Sequence, residues 1–71
     1  MSSPLPRRPD LSIVICTLNE HEAIGGVIDE LRASLAQVDH EILVVDDSAD
    51  ERTAEAVLRH AAGSPRVRLL R

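Results

Sequence analysis

The sequence predicts an α/β fold with a parallel sheet and the element order β-α-β-α-β. Three observations carry that expectation. Leu11–Cys16 and Glu41–Val45 are short, nearly continuous apolar runs, the pattern of strands covered on both faces. About 25 residues with helical periodicity separate them, enough for the crossover that makes two strands parallel. A second helical pattern and a third apolar run, Val67–Leu70, complete the series. The first two strands each end in a polar cluster, and parallel topology opens both clusters on one edge, where open sheets bind ligands.

Residues 1–10 read as a disordered leader, because Ser, Pro and Arg leave nothing to bury. After the first strand, Ala23, Ile24, Val27, Ile28, Leu31 and Leu35 recur at the spacing of one helix face. Asn19 with Glu22 three residues on is the expected helix cap. Gly25 and Gly26 each weaken the first turns by about 1 kcal/mol relative to alanine. They imply a close approach, either of the helix to the sheet or of a ligand to the backbone. Beyond the second strand, Ser48 and Glu51 have the spacing of a capping box. Ala54, Val57, Leu58 and Ala61 form the expected buried stripe of the second helix, which Gly63 and Pro65 close.

Composition narrows the function. The chain has 71 residues, no aromatic side chain and a net charge of −4, so it holds one small domain with a marginal core. The acidic balance argues against a nucleic-acid partner. All eight basic residues are arginine, which excludes a Walker-type lysine and Schiff-base chemistry within these residues. The single cysteine, Cys16, cannot form an internal disulfide and reads as a small buried apolar residue. No apolar run approaches the roughly 20 residues of a membrane helix. The arginines of the leader stand among prolines rather than before a long apolar run, so no signal peptide is read. The expected compartment is the cytoplasm.

Right-handed crossovers in chain order put both helices on one face of the sheet. Strand one is apolar on both sides, with Ile13 and Ile15 on one and Val14 and Cys16 on the other. A bare apolar face invites a partner, so residues 11–71 are expected to be the amino-terminal part of a larger α/β domain, or to associate.

The chemistry-bearing residues cluster at the strand ends. Asp46 and Asp47, with Asp50 close by, could accept hydrogen bonds from a base or ribose, or help hold a divalent cation. Alternatively, Asp46 or Asp50 caps the second helix. Glu20, beside Asn19 and His21, lies across the cleft from Asp47 and could bond the same ligand, or it could serve the dipole of the first helix. His21, His40 and His60 lack metal-ligand spacing and are expected at the solvated surface.

The run Leu11-Ser12-Ile13-Val14-Ile15-Cys16-Thr17-Leu18-Asn19-Glu20, a helix, and then Glu41-Ile42-Leu43-Val44-Val45-Asp46-Asp47-Ser48-Ala49-Asp50-Glu51-Arg52-Thr53 resemble the start of family 2 glycosyltransferases. Their polyprenol- or dolichol-phosphate mannosyltransferase branch is the most similar. The resemblance implies a Rossmann-like GT-A fold that binds a nucleotide-diphosphate sugar over the ends of strands one and two. By position it implies nucleoside contacts for Glu20, Val45 and Asp47, with Asp46 beside them. Cys16 and Leu18 stand where the family commonly has proline and tyrosine. It implies transfer of a sugar such as mannose or glucose to a polyprenyl phosphate or another acceptor, at the membrane face in a full-length form. Mg2+ or Mn2+ would assist, held by a downstream acidic motif, and these residues contain neither that motif nor the catalytic base. Glu41–Ser48 followed by Arg52 is also similar to the acidic pocket of a magnesium-binding receiver module. A third reading is a non-catalytic segment that acts with a missing half.

Overall fold

The computed structural model describes residues 8–71, and the part of the expected leader at residues 1–7 lies outside them. Within them, β1 (Leu11–Thr17), α1 (Ile24–Ser34), β2 (His40–Asp46), α2 (Arg52–Ala61) and β3 (Val67–Leu70) follow in chain order. The strands form one parallel sheet, β1-β2-β3. This is the expected β-α-β-α-β fold, with β1 one residue longer and β2 one residue longer at each end. The sheet begins where Asp10 N–H donates to the Asp39 carbonyl at 2.8 Å.

One core lies between the sheet and both helices. Ile24 and Ile28 of α1, Ile42 and Val44 of β2, Ala56, Val57 and Ala61 of α2, and Val67 of β3 form a single buried cluster. Burial alternates along β2, so one set of its side chains enters the core and the other faces outward. The outward set, Glu41, Leu43 and Val45, is flanked in register by Ser12, Val14 and Cys16 of β1 and by Arg68 and Leu70 of β3. Val14 is 59% exposed. Cys16, expected inside, is exposed on this same face because both helices cover the other one.

The helices differ from their expected form at their starts, in their buried faces and at the end of α2. α1 starts at Ile24 after a turn, its N-cap is Ala23 without a side-chain bond, and Asn19 is left free for another role. Its buried residues are Ile24, Gly25 and Ile28, while Val27 lies exposed. The box of Ser48 and Glu51 does not form; Glu51 itself is the N-cap, and Asp50 Oδ1 accepts the Arg52 N–H at 3.0 Å instead. Leu58 is 60% exposed, and Thr53 and Ala56 take its place in the buried stripe. Ala62, in the left-handed conformation, ends the helix one residue before Gly63, which is also left-handed.

Gly25 makes its close approach to α2 rather than to the sheet or a ligand. A Cβ there would collide with the His60 ring, whereas Gly26 has open space around it. His60 Nδ1 faces the Asp29 carboxylate at 3.0 Å, and Arg32 Nη1 donates to the His60 carbonyl at 2.9 Å, so α1 clasps the last turn of α2. Two histidines therefore depart from the surface role expected of them. His60 is half-buried in this clasp, and His40 is buried, with Nδ1–H donating to the Val38 carbonyl at 2.8 Å.

Candidate functional site at the carboxyl edge of the sheet

β1 and β2 end level with each other, because Thr17 and Asp46 are register partners. Both side chains turn inward and are buried. Asp46 Oδ1 accepts the Thr17 hydroxyl at 3.0 Å and the Ser48 N–H at 3.1 Å, and it also accepts the Ser48 hydroxyl. Asp46 Oδ2 is buried with no hydrogen bond among the described residues, and the Arg71 guanidinium lies 3.7 Å from it. The Ser48 hydroxyl bond does most to hold the Asp46 carboxyl below its usual value. Burial opposes this, while Thr17, the Ser48 amide and Arg71 add to the lowering.

The two loops that leave these strands are tied together. Asp47 N–H donates to the Thr17 carbonyl at 3.0 Å, Asn19 N–H to Ser48 Oγ at 2.7 Å, and Ala49 N–H to Asn19 Oδ1 at 3.3 Å. Beyond the tie the side chains of Glu20 and Asp47 are exposed. Glu20 Oε1 accepts the Leu18 N–H at 3.3 Å. Leu18 is 60% exposed beside it. Cys16 and Val45 are register partners on the outward face just below. Of the six expected site residues, five thus present side chains at or next to this edge, and Asp46 turns into the protein.

That inward turn separates the two adjacent aspartates. A receiver-type pocket needs both carboxylates on one cation, and here they point to different surroundings. No group of three or more His, Cys, Asp or Glu side chains that could hold a metal occurs among the described residues. The residues present do not fit a divalent cation on their own. Arg52 is paired with Asp50 at 3.0 Å, which holds Asp50 below its usual carboxyl value. Arg71 donates to Glu51.

Sequence reasoning missed Thr17, Asn19 as an inter-loop residue, Ser48 and Arg71. One signal pointed to the first three. Thr17 with Asp46 and Asn19 with Ser48 share a spacing of 29 residues, the offset of the β1–β2 register. A concavity at the opposite end of the sheet, near Arg8, Asp39, Arg66 and Arg68, contains none of the expected site residues.

The model of the family described as Glycosyl transferase family 2 matches residues 12–71. No curated protein gives a significant match. Among solved structures, mannosyl-3-phosphoglycerate synthase from Rubrobacter xylanophilus is similar, with 31% identity and a TM-score of 0.68 over 87% of this chain. The similarity covers 19% of that protein's chain. Its shared parallel β-α-β-α-β unit is that of the Rossmann-like GT-A fold. Both strand-end clusters lie inside the matched residues, and the chain belongs to glycosyl transferase family 2.

Proposed function

We propose that residues 11–71 are the nucleotide-binding part of a glycosyltransferase whose donor is a nucleotide-diphosphate sugar. The nucleoside lies over the ends of β1 and β2. The observation that carries this reading is the pair of exposed carboxylates, Glu20 and Asp47, brought to one edge by loops that are bonded to each other. Each can accept hydrogen bonds from a ribose or base. Cys16, Leu18 and Val45 supply the apolar wall beside them, and Asp46 serves the site by holding the strand ends level. The family membership and the structural neighbour support sugar transfer as the reaction. The neighbour's name, a mannosyl-3-phosphoglycerate synthase, favours mannose as the sugar. A polyprenyl phosphate acceptor, as in the dolichol-phosphate branch, rests on the motif resemblance. Mg2+ or Mn2+ would neutralise the diphosphate leaving group, on ligands outside these residues.

The test is calorimetric titration with uridine and guanosine diphosphates. Replacing Asp47 with alanine should weaken binding by about 1.5–3 kcal/mol, the range for a hydrogen bond to a charged group. Asp50→Ala should have little effect, because that carboxylate is already engaged by Arg52. Equal affinities for the wild type and Asp47→Ala would remove Asp47 from the site.

A further inference from the structure

We propose that Asn19 and Ser48 are positioning residues that fix the spacing of Glu20 and Asp47, and so set nucleotide affinity without touching the nucleotide. This rests on the nucleotide site proposed above. Asn19 has φ of 54°, in the left-handed region that non-glycine residues seldom enter and asparagine tolerates best. The Asn19 side chain does not cap α1, which starts at Ile24 with Ala23 as its N-cap.

What the turn achieves lies on the other loop. It brings the Asn19 N–H to Ser48 Oγ at 2.7 Å and the Asn19 side-chain oxygen to the Ala49 N–H at 3.3 Å. Ser48 is held in turn by its hydroxyl bond to buried Asp46, and its Oγ lies 3.1 Å from Thr53 Oγ1 on α2. Glu20 directly follows Asn19, and Asp47 directly precedes Ser48. Each ligand-facing carboxylate is thus one residue from a latch residue. The latch couples the direction of one to the position of the other. Without it, both loops must be ordered when the ligand arrives, at a cost in affinity.

Asn19→Gly separates this role from simple stability. Glycine keeps the backbone conformation and the N–H donor, and loses only the oxygen that holds Ala49. Amide exchange at Ala49 should quicken by about tenfold, and affinity for uridine or guanosine diphosphate should fall by about tenfold, with little change in the unfolding midpoint. Asn19→Asp retains the acceptor and should recover both properties when titrated at high salt, where the added charge is screened. If Asn19→Gly binds either diphosphate as tightly as a binding-competent wild type, the latch proposal is overturned and the site reading stands. Unchanged Ala49 exchange in Asn19→Gly overturns the latch without any ligand. A wild-type chain that binds neither diphosphate overturns the site reading, and the proposal with it.

Discussion

The Thr17 hydroxyl donates to Asp46 Oδ1 at 3.0 Å, joining the last residues of two register-paired strands through a buried carboxylate. Bonds to Ser48 reinforce the same oxygen, and together they hold the Asp46 carboxyl below its ordinary value of 3.8. A group whose pKa is depressed on folding contributes stability above its unfolded value. That contribution is lost as pH falls through the folded value.

Asp46→Asn should therefore flatten the acid limb of a plot of melting temperature against pH below about 4, and lower the melting temperature at neutral pH. Thr17→Val should cost about 1.5–3 kcal/mol at neutral pH, because the carboxylate loses a buried donor. Ser48→Ala should move the acid limb further than Arg71→Ala, since the serine hydroxyl bonds the carboxylate directly and Arg71 acts from 3.7 Å. An acid limb unchanged in Asp46→Asn would show that this carboxylate does not govern acid unfolding.

The adjacent glycines should respond in opposite directions. Gly25→Ala drives a methyl group into the His60 ring and should destabilise the chain by about 1–3 kcal/mol, as overpacking does. His60→Ala should remove most of that penalty in the double variant. Gly26→Ala meets nothing and should stabilise by about 0.5–1 kcal/mol through its helix propensity. Chemical denaturation of the four variants decides the matter; equal effects at both positions would rule out the helix contact.

The outward sheet face should make the isolated chain associate. Val14, Leu43, Cys16, Val45 and Leu70 lie together there, and no helix among the described residues covers them. Sedimentation should show species larger than a monomer, and a dye for apolar surface should bind. Val14→Lys, on the edge strand of the patch and at its most exposed large apolar side chain, should reduce both signals without lowering the helix content. A monodisperse wild type with no dye signal would contradict this.

The strands and their direction were legible because parallel strands and their crossover leave long-lived marks in the sequence: apolar runs, a helical period and polar strand ends. Ile13 and Val14 could be assigned to opposite faces from the two-residue alternation alone. Cap assignments failed for a physical reason. Asn19 and Ser48 have the right side chains and spacing for capping boxes, but each is drawn instead to a loop about 29 residues away, and spacing within a segment cannot report a bond between segments. Leu58 was misplaced because the face that α2 buries is centred near Val57 and turned toward Thr53 and Ala56, which leaves Leu58 beyond its edge. The carboxylates of the site were visible as a cluster. That Asp46 turns inward while Asp47 stays exposed follows from strand alternation continued one residue past Val45.

The 29-residue offset between β1 and β2 also bears on how the chain folds. Ser12 meets Glu41, Thr17 meets Asp46, and on the helices Asp29 meets His60 at a separation of 31. No strand can find its neighbour through a tight turn. Closing a loop of that size costs about 3 kcal/mol beyond a constant term, before any ladder bond repays it. Productive pairing needs a three-element closure, either β1-α1-β2 or β2-α2-β3, with an amphipathic helix forming while its strands are still apart. Until then both strands are unpaired and apolar, and another molecule's strand is as ready a partner as their own. Folding speed, rather than the depth of the final minimum, then sets how much newly made chain escapes aggregation.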